Sequence, residues 1–112
     1  MALSNHVVSR WLERVRGLSP PKIVGNMRAN GWHGAIGEAD TLWWLEHKLG
    51  LDMATVHAEI EAEIASCRVA GTTARGSMQL ATARAEFIAA QCGSKVEIRT
   101  VLAPKPRRAL TH

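Results

Sequence analysis

The stretch SMQLATARAEFIAAQC, residues 77–92, decides the fold class predicted from this sequence. Its apolar residues recur at alternating spacings of three and four, which is the pattern of one helix face. Ser77 suits the N-cap of such a helix and Gly93 suits its end. The stretch therefore predicts a helix, whose small side chains favour close packing against a neighbouring helix. The apolar stripe consists of Met78, Ala81, Ala85, Ile88 and Cys92.

Four more helices are predicted before this one, each from its own start and stop residues. The clearest start is Ser19 followed by Pro20 and Pro21, because proline in the first helical turn loses no hydrogen bond. The fourth helix begins after Asp52 and, with the fifth, predicts an antiparallel αα-hairpin. The predicted ranges are 5–16, 20–30, 38–49 and 53–70, with a glycine-rich loop at 32–37 and a connector at 71–76.

The segment Lys95 to Ala103 alternates charged and β-branched residues and so predicts a β-strand. One face of this strand would carry Val96, Ile98, Thr100 and Leu102. A single strand leaves backbone groups unpaired and needs a partner. A second copy across a two-fold axis is the favoured partner, and the alternatives are a partner protein's sheet or the loop around Trp32.

The sequence thus predicts a mainly α, single-domain protein. Residues 1–103 form the helical domain with its terminal strand, and residues 104–112 form a disordered basic tail. A homodimer through helices 4 and 5 and the strand 95–103 is one expected assembly.

Charge is divided into three blocks along the chain. Residues 1–37 hold five bases and one acid, residues 38–63 hold seven acids and one base, and residues 64–112 hold eight bases and two acids. Two basic segments that flank an acidic one can attract a polyanion or pair with each other. The leading hypothesis is therefore a small, non-catalytic regulatory or accessory protein that binds DNA or RNA. Its phosphate-binding residues are predicted to be Arg10, Arg14, Arg16, Lys22, Asn26, Arg28, Arg107 and Arg108.

Two segments have the layout of a helix-turn-helix. If helix four were the reading helix, Glu59 and Glu63 would face the phosphates and repel them. If helix two were the reader, Lys22 and Arg28 would suit the electrostatics, but Glu13 would occupy the position that requires a small residue. The second arrangement agrees better with the charge pattern.

The alternative hypothesis is a protein that binds only proteins, such as an inhibitor or adaptor of the phage or mobile-element type. It would use an acidic face and exposed tryptophans, because aromatic residues often dominate protein interfaces. The residues predicted for this role are Trp32, Trp44, Glu59 and Glu63. Trp32, in the glycine-rich loop, is predicted to be the exposed tryptophan. One of the adjacent Trp43 and Trp44 is predicted to be a second core contact, and the alternative is a binding anchor.

Several other functions are disfavoured by the sequence. No nucleophile elbow, phosphate loop or carboxylate pair indicates an enzyme, and no cofactor is predicted. The histidines and cysteines lack the paired spacing of a zinc site. No apolar run reaches the length of roughly 18 residues for a membrane span, and the N-terminus lacks the pattern of a secretion signal. A cytoplasmic location without membrane contact is therefore expected.

Overall fold

The computed structural model of the chain describes residues 3–72, 76–92 and 95–102. Over these residues the fold is α+β, with four helices followed by a four-stranded antiparallel sheet in the order β1-β2-β3-β4. The helices are α1 (Asn5–Arg14), α2 (Pro20–Ala29), α3 (Glu38–His47) and α4 (Met53–Ala65). The strands are β1 (Arg68–Thr72), β2 (Met78–Ala81), β3 (Glu86–Cys92) and β4 (Lys95–Leu102).

The four helices lie where their start and stop residues predicted them, although each ends earlier than expected. Ser4 caps α1, since its hydroxyl oxygen accepts from the backbone N–H of Val7 at 3.2 Å. Asp52 caps α4 in the same way, accepting from the N–H of Ala54 at 3.1 Å. Helix α4 ends at Ala65 rather than near residue 70, and the residues after it form β1.

The predicted fifth helix is wrong, and with it the mainly α class and the αα-hairpin. Residues 78–92 form β2 and β3, joined by a tight turn in which the Thr82 N–H donates to the Ala85 carbonyl at 2.9 Å. The buried residues Ala85, Phe87 and Ala89 alternate with period two, as in a strand with one buried face. Cross-strand pairing and burial of one sheet face therefore outweigh the helical spacing of this segment. The predicted dimer through helices 4 and 5 loses its structural basis, because residues 78–92 contain no fifth helix.

The predicted strand at 95–103 is confirmed as β4, but it pairs with β3 of the same chain. The loop around Trp32 is not its mate, and the pairing with β3 fills one edge of the strand without a second copy. Phe87 lies opposite Val101 and Ala89 opposite Ile98, with a register shift between Ile88 and Ala89. This β-bulge breaks the predicted two-residue alternation, so that Ile98 and Val101, three residues apart, are both buried.

Helix α1 lies along the outer edge of β4 and ties the two ends of the described chain together. Arg14 donates from Nη1 to the Val101 carbonyl at 2.7 Å, and His6 Nε2 lies 3.3 Å from the Thr100 hydroxyl. Trp11 of α1 stacks on Phe87, with ring centroids 6.0 Å apart. The core therefore sits between the helices and one face of the sheet. In the described ranges no helix combines the length and the apolar character needed to cross a bilayer.

Candidate nucleic-acid interface

Three tryptophans and a histidine come together where the loop after α2 meets α3. The ring centroids of Trp32 and Trp43 are 6.2 Å apart, and those of Trp32 and Trp44 are also 6.2 Å apart, in an edge-on arrangement. The ring centroids of Trp43 and His47 are 4.9 Å apart. Offset and edge-on contacts at these distances are favourable for aromatic rings.

Helix geometry explains why the adjacent Trp43 and Trp44 have different environments. Neighbouring side chains on a helix point about 100° apart, so one helix side cannot bury both. Trp44 faces α2, is 7% exposed, and donates from Nε1 to Oδ1 of Asn26 at 2.7 Å. Trp43 points outward and is 46% exposed. The prediction that Trp32 is the exposed tryptophan is wrong, because its ring is partly buried between the other two.

Polar and basic side chains surround this cluster. Arg28 donates from Nη1 to the Trp32 carbonyl at 3.2 Å and fastens the loop to the end of α2. Lys48 places Nζ 5.9 Å from the Trp44 ring centroid, a cation–π distance. We call the whole region the tryptophan surface, and it consists of Lys22, Asn26, Arg28, Trp32, Trp43, Trp44, His47 and Lys48.

An open groove of about 390 Å³ runs across part of this surface. Its walls combine amide, indole and ammonium groups with one exposed apolar side chain. The lining residues are Asn26, Asn30, Trp44, Lys48 and Leu49. Glu46 adds a negative charge beside the cluster, with Oε1 3.4 Å from Nε2 of His47.

Among the side chains that the structure describes, most cations outside the tryptophan surface are already paired with carboxylates. Arg10 and Glu13 are 2.7 Å apart, Arg14 is 3.9 Å from the same carboxylate, and Arg99 is 3.8 Å from Glu97. Among the lysine and arginine side chains that the structure describes, four have no such carboxylate partner, and three of them belong to the tryptophan surface. The four are Lys22, Arg28, Lys48 and Arg68.

Glu59 and Arg16, predicted to bind different partners, bind each other. Arg16 donates from Nε and Nη2 to the two carboxylate oxygens of Glu59 at 3.2 and 3.1 Å, and Trp11 Nε1 donates at 2.6 Å. Arg84 lies 3.6 Å away. The hydrogen bond from Arg16 holds the pKa of Glu59 below its ordinary value, helped by Trp11 and opposed by burial. This carboxylate therefore acts within the fold.

The structure brings together part of each predicted site. Asn26, Arg28, Trp32 and Trp44 meet in the tryptophan surface, with Lys22 one helical turn before Asn26. Glu63 is partly buried, and its Oε2 is shielded from solvent without a hydrogen-bond partner. The tail with Arg107 and Arg108 lies outside the described residues.

Sequence reasoning missed Trp43, His47 and Lys48 as members of the site. The adjacency of the two tryptophans predicts that one of them is either a second core contact or a binding anchor. Packing against α2 buries Trp44 and leaves Trp43 exposed. Lys48 carries its own signal, because it is the single base of the acidic block 38–63.

A metal centre finds no support in the described ranges, where no three or more histidine, cysteine, aspartate or glutamate side chains are grouped to hold an ion. Comparisons with protein families, with curated proteins and with solved structures give no match for this chain. A function must therefore be argued from the chemistry of the tryptophan surface.

Proposed function

We propose that this chain is a small, non-catalytic, nucleic-acid-binding accessory or regulatory protein of the cytoplasm, and that the tryptophan surface is its binding site. The observation that supports this most strongly is the distribution of unpaired charge. Lys22, Arg28 and Lys48 have no carboxylate partner. Arg28 and Lys48 contact the tryptophan cluster, and Lys22 lies one helical turn before Asn26 on α2. A polyanion with flat bases offers complementary groups to both features.

We propose a site on α2 and α3, and not on α1, because the N-terminal arginines already have partners within the fold. Arg10, Arg14 and Arg16 already interact with carboxylates, and Arg14 also with a backbone carbonyl. A phosphate would have to compete with these partners. At Lys22 and Lys48 it would meet no such competition.

The contacts of the described residues lend less support to a protein-only binder. Of the four residues assigned to that role, Trp44 is buried, Trp32 is partly buried, and Glu59 is held by Arg16. The acidic face that would imitate nucleic acid has therefore lost one of its two carboxylates to an internal contact.

Removal of single charges tests the proposed site. Lys22→Gln and Lys48→Gln should each weaken binding of a fluorescent oligonucleotide and reduce the dependence on salt, because each removes one phosphate contact. Arg68→Gln is the matched control, since it removes the same charge from an unpaired, exposed residue on β1. With three phosphate contacts, the log–log slope of affinity against salt should be about 2 to 3.

The tail is tested separately with the double variant Arg107→Gln/Arg108→Gln, whose effect adds to that of Lys22→Gln if the two regions bind independently.

Equal losses in Arg68→Gln and Lys48→Gln would contradict the assigned site and indicate a response to net charge alone. Failure of the wild-type chain to bind any DNA or RNA at low salt would end the proposed function.

A further inference from the structure

Trp43 is held in position while its ring remains open to a ligand. Among the tryptophans it is the most exposed, at 46%. Trp32 and His47 contact the ring and limit its movement, with centroids at 6.2 and 4.9 Å. A ring that is already fixed loses little conformational freedom when a flat ligand stacks on it.

The groups on α2 that could read the edges of base pairs are already engaged. Asn26 accepts the Trp44 Nε1–H through Oδ1, and Asn30 donates from Nδ2 to the Asn26 carbonyl at 2.8 Å. Arg28 uses Nη1 for the Trp32 carbonyl. Reading of a duplex groove requires free bidentate groups of these types, so α2 is poorly suited to act as a recognition helix.

We infer that the tryptophan surface binds single-stranded nucleic acid, with one unpaired base stacked on Trp43 and the backbone phosphates near Lys22, Arg28 and Lys48. This inference rests on the proposed function and specifies the ligand of the same site. The bases of a duplex are stacked on each other and present only their edges, whereas an unpaired base presents its face. Because every base has such a face, the surface should tolerate many sequences and both DNA and RNA.

The test compares three fluorescent ligands of about twelve nucleotides or base pairs at low salt, a length within the usual range for such sites. They are oligo-dT, oligo-rU and a mixed-sequence duplex, and anisotropy with the full 112-residue chain measures the affinity for each. Wild type should prefer both single strands to the duplex. Trp43→Ala should weaken single-strand binding by roughly 5- to 150-fold, the loss expected for one stacked base.

Trp43→Phe, which keeps a flat ring, should retain most of the affinity. Val69→Ala is the control for loss of an exposed apolar side chain, since Val69 is 64% exposed on β1. The comparison of ligands with wild type requires no variant, so an unstable Trp43→Ala would not prevent the test. Thermal melting monitored by circular dichroism establishes that each variant is folded.

The outcomes separate this inference from the proposed function. Equal or tighter binding of the duplex, or a folded Trp43→Ala with unchanged single-strand affinity, would overturn the single-strand inference and leave nucleic-acid binding in place. Absence of binding to all three ligands would overturn both.

Discussion

One carboxylate, that of Glu59, joins three parts of the chain that are distant in sequence. It accepts hydrogen bonds from Trp11 and Arg16 and lies 3.6 Å from Arg84 in the turn between β2 and β3. The Arg84 guanidinium also lies 5.2 Å from the Trp11 ring centroid, and Trp11 stacks on Phe87. The contact thus aligns α1, α4 and the sheet around one aromatic pair.

Replacement of Glu59 should weaken the fold in a pH-dependent way. We expect Glu59→Gln to lower the free energy of unfolding near neutral pH by about 1–3 kcal/mol, because hydrogen bonds to a charged partner are lost. The pKa of Glu59 is lowered in the folded state, above all by Arg16. The stabilisation is therefore complete above the ordinary carboxyl pKa of 4.5 and is lost as the pH falls through the lowered folded-state pKa.

Urea denaturation of wild type and Glu59→Gln at several pH values checks this. The difference between the two should shrink on acidification below the ordinary carboxyl pKa. Glu61→Gln, an exposed position on the same helix, is the control and should behave like wild type. A constant difference at every pH would show that the charge of Glu59 contributes nothing.

At the scale of elements, the helices were predictable from sequence and most of the sheet was not. A cap such as Asp52 and a terminator such as Gly50 act within a few residues, so local sequence reports them. The strands β2 and β3 depend instead on cross-strand pairing and on burial against the helices, and their turn Thr82–Ala85 lacks the Asn or Gly that usually signals a hairpin. The sequence did contain one signal for β3, the alternation of apolar residues with period two at Ala85, Phe87 and Ala89.

The same distinction applies to the candidate site. The residues of α2 could be proposed from their charge and spacing, because they lie on one short helix. Trp43 and Lys48 could not be assigned from sequence, because their surroundings depend on how α3 packs against α2 and the Trp32 loop. Sequence reasoning therefore proposed basic and aromatic residue types for the site but did not identify all of the residues that form the tryptophan surface.

Two glycines provide a matched test of helix geometry. A Cβ added at Gly25 or at Gly50 would meet nothing within 4 Å, so space does not distinguish them. Gly25 lies inside α2, where alanine is the better helix former, and Gly25→Ala should stabilise the protein by roughly 0.5–1 kcal/mol. Gly50 follows α3 with φ of +74°, and Gly50→Ala should cost about 1–2 kcal/mol.

Thermal or urea unfolding of the two variants measures both changes. If Gly25→Ala raises the free energy of unfolding and Gly50→Ala lowers it, then backbone conformation, and not crowding, determines the effect of a methyl group at these positions. Destabilisation by Gly25→Ala would mean that α2 does not continue through residue 25.

At the scale of the whole molecule, the first helix and the last strand depend on each other. Helix α1 packs against β4, and Arg14 and His6 bond to residues 101 and 100 at its outer edge. That edge would otherwise present unpaired backbone groups to other chains. Ile98 and Val101 complete the core beneath it, at 7% and 0% exposure. The strand is therefore an integral part of the domain.

Truncation distinguishes this arrangement from a strand used only for dimerisation. A chain that ends after Gly93 lacks β4, so it loses two buried aliphatic side chains, each worth about 2–5 kcal/mol, and uncovers one side of α1. Since small domains are stable by only about 5–15 kcal/mol, we expect this chain to lose its cooperative thermal transition and near-ultraviolet circular dichroism.

A chain that ends after Ala103 keeps all four strands and should melt like the full-length protein. Sedimentation of the three chains completes the comparison. A chain ending at Gly93 that still melts cooperatively, and changes only from dimer to monomer, would contradict the pairing of β4 with β3.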